Sequence, residues 1–61
     1  MKTIELIKTI DGEVTIIAAE ESTDERAAKT LHRYMLQAEL QNRDEETDVY
    51  SARFKPEPQA D

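Results

Sequence analysis

The chain has no cysteine and no tryptophan, a single glycine, a single histidine and two prolines. Each shortage closes off some chemistry. Without cysteine there is no disulfide to staple a small fold, no thiolate nucleophile and no cysteine-based zinc site. The same absence fits a reducing compartment, so a cytoplasmic location is expected. One glycine cannot build the glycine-rich loop that cradles a phosphate. One histidine leaves a histidine metal site or a hydrolase triad without its partners. No apolar run approaches the length of a signal-peptide core or a membrane span, so no membrane partner is expected.

Length adds a different constraint. The 61 residues make one domain, expected over residues 1–55, and a chain this short buries only about 60% of the surface its unfolded form exposes. With neither disulfide nor metal, a small scaffold must rely on tight packing or on a second copy. A homodimer with two-fold symmetry is the expectation.

Acid outweighs base by 14 residues to 8, a formal charge of −6. That excess keeps a small domain dispersed and repels phosphates, so no nucleic-acid partner is expected. A rarer use of such acidity is to imitate nucleic acid before a basic protein. That use wants carboxylates in one continuous stripe, whereas here they gather at element ends, in Glu20-Glu21 and Asp44-Glu45-Glu46.

What the chain does have begins with two β-branched runs, Thr3 to Ile10 and Glu13 to Glu20, joined at Asp11-Gly12. Interleaved polar residues mark them as half-buried strands of a hairpin. A two-residue turn splits the apolar set between the faces. A three-residue loop, Ile10-Asp11-Gly12 with Gly12 left-handed as a bulge, instead aligns Ile4 and Leu6 with Val14, Ile16 and Ala18. The bulged form is therefore expected. Lys8 is the one polar intruder on that face and lies near enough to the turn to snorkel out.

Ser22-Thr23-Asp24-Glu25 reads as a capping box opening a long helix that nothing interrupts before Asn42-Arg43-Asp44. At 100° per residue, Ala27, Ala28, Leu31, Tyr34, Met35 and Ala38 form the stripe that should lie on the hairpin. Glu25 with Lys29 and Glu39 with Arg43 have the spacing of favourable helical ion pairs. After the acidic loop at Asp44–Asp48, the segment from Val49 to Lys55 alternates Tyr50, Ala52 and Phe54 with polar neighbours. A short third strand is expected there, beside the first, in sheet order 2-1-3. The fold class is thus α+β: a hairpin, one amphipathic helix and a third strand (ββαβ), with an antiparallel sheet covered on one face. Residues 56–61, with Pro56 and Pro58, read as a disordered tail.

No residue set carries chemistry. His32 projects away from the helix stripe as a surface residue. Ser22, Thr23 and Ser51 lack a base and an orienting group. The acidic clusters do not have calcium-loop spacing. No catalytic residue, metal ligand or cofactor is expected, and the chain reads as non-enzymatic.

Two apolar surpluses remain. Leu36 and Leu40 sit on the outer face of the helix among Arg26, Lys29, Arg33 and Arg43, and Ile7 and Ile17 point away from the helix on the far side of the hairpin. Each could be completed by a neighbouring chain. A third route is for Val49, Tyr50 and Phe54 to pair with the sheet edge of another copy. The reading that follows is a small acidic protein-protein interaction or regulatory module acting as a homodimer, able to dock on a larger protein. Its alternatives are a purely structural self-assembling subunit and an acidic nucleic-acid mimic.

Overall fold

The structure, a computed structural model, describes residues 1–56. The elements are β1 (Lys2–Ile10), β2 (Glu13–Ser22), α1 (Ala27–Glu45) and β3 (Tyr50–Phe54). The strands form one open antiparallel sheet in the order β2-β1-β3, with α1 packed on one face, the α+β arrangement expected. The expected tail lies outside the described residues except for Pro56. No helix among the described residues is long and apolar enough to cross a membrane.

The hairpin differs from expectation in where its irregularity sits. Asp11 and Gly12 both take positive φ, 52° and 80°, which is what a two-residue type I′ turn needs and what matches the twist of the flanking strands. Aspartate tolerates this conformation and glycine adopts it without steric penalty. Ile10 therefore faces Glu13 directly, and no three-residue loop forms. The bulge lies inside β2 instead: Ile7 pairs with Ile16 and Leu6 with Ala18, leaving Ile17 as the extra residue. Opposed residues share a face. Ala18 thus joins Leu6 under the helix, while Val14 and Ile16, opposite Thr9 and Ile7, are turned to the other side.

The helix also starts later than a capping box at Ser22 predicts. Ser22 is the last residue of β2, the Arg26 N–H donates to the Thr23 carbonyl at 3.0 Å, and Arg26 is the N-cap without a side-chain bond. The Ser22 hydroxyl donates to the Thr23 carbonyl at 3.2 Å and accepts from the Thr30 hydroxyl at 3.3 Å, tying the strand end to the first helical turns. Glu25 precedes the helix, so its expected pair with Lys29 is absent among the described residues, whereas Arg43 and Glu39 approach to 3.9 Å.

The buried helical positions are Ala27, Thr30, Tyr34 and Ala38, with Leu31 half-buried. Ala28 and Met35, expected in the stripe, are exposed. The reason is that α1 packs on β1 and β3 more than on the hairpin as a whole, which narrows the covered stripe and turns it toward Thr30. Its small residues let the axis approach the sheet, where Tyr34 and Ala38 meet Ile4, Leu6 and Tyr50 in the core. Two lysines close the ends of this layer: Lys2 and Lys8 hold their ammonium groups 5.1 Å from the ring centroids of Phe54 and Tyr50. Tyr50, first by hydrogen bonding and then by charge, raises the Lys8 pKa above its ordinary value of 10.5.

The third strand pairs with β1 of its own chain, from the Thr9 N–H to the Val49 carbonyl (2.9 Å) to the Lys55 N–H on the Thr3 carbonyl (2.8 Å). Val49, Tyr50 and Phe54 thus lie along β1 of their own chain. Asn42 fixes where β3 begins. Its amide donates to the Tyr50 carbonyl at 3.1 Å and its Oδ1 accepts from the Tyr50 N–H at 2.9 Å, so both backbone groups of one strand residue are held by one helical side chain. Just beyond, the helix ends in a Schellman arrangement. Glu46 is left-handed (φ 53°, ψ 42°), its N–H meets the Arg43 carbonyl at 3.3 Å, and the Thr47 N–H meets the Asn42 carbonyl at 2.9 Å.

Two stability measurements follow from this corner. Asn42→Ala should lower the free energy of unfolding in urea by about 1–3 kcal/mol, because two partly buried backbone groups lose their partners. Asn42→Asp, which keeps the acceptor and loses the donor, should fall between it and the wild type. Glu46→Gly should raise stability by up to about 1 kcal/mol, since glycine relieves the left-handed strain and gives back part of that gain as chain entropy. A lower midpoint for Glu46→Gly would contradict the strain.

Candidate functional site

One helix covers only part of one sheet face, and the Cα atoms span 12 Å across the thinnest direction, about one layer spacing. Among the described residues the opposite face has no second layer. On it, alternation along the strands places Thr3, Glu5, Ile7 and Thr9 of β1, Val14, Ile16, Ala19 and, at the far end, Glu21 of β2, and Ser51 and Arg53 of β3. Val14 is 44% exposed and Ile16 53%, with the bulged Ile17 beside them at 47%.

Ile7 takes its expected side but not the expected exposure. Flanked by Ile16 and Ser51, it is only 6% exposed. The apolar surplus here is therefore carried by Val14, Ile16 and Ile17, and two of those were expected under the helix. The signal was available in the uninterrupted run Val14-Thr15-Ile16-Ile17, which supplies β-branched residues to both faces.

An ion pair shares this face. Arg53 Nε donates to Glu5 Oε1 at 3.1 Å, and the Glu5 side chain is 4% exposed against 37% for Arg53. The central position of β1 buries the carboxylate between its neighbours, and the guanidinium reaches across from the adjacent strand. Nothing local in the sequence links two residues so far apart. Only the β1–β3 pairing brings them opposite each other. The face is consequently neutral at its centre.

The second surplus stands where expected, on the outer side of α1. Leu36 is 48% and Leu40 59% exposed. Arg33, one turn before Leu36, leans toward β2 and donates to both carboxylate oxygens of Glu20 at 2.7 Å. That pair is exposed and contributes little to stability. Lys29 and Arg26 continue the basic line toward the helix start. Among the described residues neither lies within ion-pair distance of a carboxylate. A cleft of about 410 Å³ opens beside them, with Glu20, Arg26, Lys29 and Arg33 among its walls.

The sheet has two outer edges, and that of β3 is held at Tyr50 by Asn42, whereas that of β2 is bare among the described residues. It runs ten residues but carries Glu13, Glu20 and Glu21 and is interrupted by the bulge at Ile17. Both devices discourage strand addition.

His32 is exposed, and no group of histidine, cysteine and carboxylate side chains among the described residues could hold a metal ion. No protein-family model matches the chain, and no curated protein or solved structure resembles it significantly. Fold and surfaces alone bear on its role.

The ion pair gives a test of the open face. Arg53→Ala, which leaves a buried carboxylate unpartnered, should destabilise the protein by roughly 1–3 kcal/mol or more, and more than Glu5→Gln, which removes the charge instead. Equal losses in thermal or urea melts would mean that Glu5 does not depend on Arg53.

Proposed function

We propose that this protein is a non-enzymatic protein-protein interaction module that acts as a homodimer, with the open faces of two sheets packed together. The observation that carries the reading is the exposure of Val14, Ile16 and Ile17 beside a sheet face that has no second layer. Fully burying one such side chain is worth about 1.5–3 kcal/mol, a large share of the roughly 5–15 kcal/mol that holds a domain together.

Charge supports a second copy as the occupant. Each chain carries −6, yet the middle of the open face offers threonine, serine, alanine and β-branched residues around an internally neutralised Glu5–Arg53 pair. Two copies can meet there without acid confronting acid. The helix seam is the poorer choice. Antiparallel helices that match Leu36 to Leu40 also match Arg33 to Arg43 of the second chain, and like charges so placed repel. Sheets stacked about 10 Å apart would give a four-layer body with helices outermost.

Sedimentation equilibrium tests this directly. The wild type should be a dimer at micromolar to millimolar concentration, Ile16→Lys should shift it toward monomer, and Leu36→Glu with Leu40→Glu should leave it dimeric. A wild-type chain that stays monomeric throughout would overturn the reading. A dimer lost only in the leucine variant would move the seam to the helix.

A further inference from the structure

The leucines on the outer side of α1 pack against nothing in the core, and the cations beside them make only exposed ion pairs or, at Lys29, none among the described residues. We infer that this strip is the docking site for an acidic amphipathic helix of a partner protein, with partner leucines against Leu36 and Leu40 and partner carboxylates against Lys29, Arg33 and Arg43. The inference deepens the interaction-module reading by naming the partner's chemistry, and it does not require the dimer.

Three features of the surface select that occupant. Its shape is that of a helix face: from Lys29 to Arg43 the strip runs along α1 for about 21 Å at 1.5 Å per residue. Leu36 and Leu40 are one turn apart, the spacing that forms a ridge another helix can straddle. Its charge is the second feature. In a chain of net −6 the two half-exposed leucines are bracketed by cations at both ends: Lys29 has no carboxylate within ion-pair distance among the described residues, and Arg33 and Arg43 meet Glu20 and Glu39 only in exposed pairs that a partner carboxylate can replace. A second copy seated helix to helix would set Arg33 against Arg43, whereas a partner helix rich in glutamate and aspartate meets these cations with opposite charge. The third feature is the cleft at the helix start, about 410 Å³, in whose lining Arg26, Lys29 and Arg33 outnumber Glu20 and Glu21. It continues the strip and leaves room for acidic side chains at one end of the docked helix.

Nucleic acid fits the same strip badly. No aromatic side chain interleaves the cations to stack on a base. A membrane surface would want a wider apolar face than two leucines.

The test uses two synthetic helical peptides of equal length, both with leucines at helical spacing on one face, one with glutamates flanking the leucines and one with lysines. Binding is followed by fluorescence anisotropy and by amide shift changes on the folded full-length protein. The glutamate peptide should bind, should shift the amides of residues 29–43 first, and should weaken as salt rises from low to about 0.5 M. Leu40→Ser should weaken it roughly tenfold to hundredfold. Lys29→Glu with Arg43→Glu should reduce it further, and Ala28→Ser, off the strip, should leave it unchanged. These positions are exposed, so the variants keep the fold, which the amide spectra report.

Equal binding of the lysine peptide, shifts confined to the sheet, or no binding of the glutamate peptide at millimolar concentration would overturn the inference. Repeating the titration on the Ile16→Lys variant separates the two proposals: strip binding should persist there even if the dimer is lost.

Discussion

Both outer strands of this fold are held through the central strand, β1, and the helix rests partly on it. It pairs with β2 on one side and β3 on the other, and its Ile4 and Leu6 form the floor on which Tyr34 and Ala38 of the helix rest. Alternation makes the same strand do opposite things on its two faces. Ile4 and Leu6 look into the packed layer, and Glu5 and Ile7 look into the open one. Both sets are buried, one by the helix and the other by the flanking strands alone. A single strand thus supplies the middle of the core and the middle of the uncovered surface.

The unequal service of the helix follows from geometry. A helix about 10 Å across spans roughly two strands spaced near 4.8 Å, and α1 settles over β1 and β3, where Asn42 and the Tyr34–Tyr50 packing anchor it. β2 is left nearly bare from Glu13 to Glu21, with only Ala18 half-buried. Its apolar residues become surface for want of a second helix, and the leucines on the far side of α1 are beyond the reach of any strand. The two surpluses have one cause: three strands and one helix do not close on themselves.

Much of this was legible in the letters. Alternating β-branched runs, the Asp-Gly turn, the uninterrupted helical segment and the Tyr50–Phe54 alternation gave four elements in the right order and the sheet order with them. The outward position of Leu36 and Leu40 was equally plain from helical spacing. What was misread turned on parity. Sequence pattern preferred a bulge at Gly12, because that buries Val14 and Ile16, yet positive φ at both Asp11 and Gly12 favours the tight turn and defers the bulge to Ile17. Moving the irregularity along the strand reverses the faces of everything between. Ser22 misled for a related reason: its hydroxyl suits a cap, but Thr30 and the Thr23 carbonyl claim it at the end of a strand. The Asn42 clamp and the Glu5–Arg53 pair join residues that only the finished topology brings together.

Glu5 and Arg53 are separated by nearly the entire polypeptide, and the β1–β3 ladder closes a loop that contains the hairpin partner, the helix and the acidic turn. Entropy of loop closure places that ladder late in folding, after the local hairpin and helix. During synthesis the central strand therefore emerges with one flank unpaired and must wait for the last residues of the domain before it is sealed. Over that interval the growing chain offers an open β-edge blunted by the charges of Lys2, Glu5 and Lys8, and its own helix, lying between in sequence, is the nearest shield.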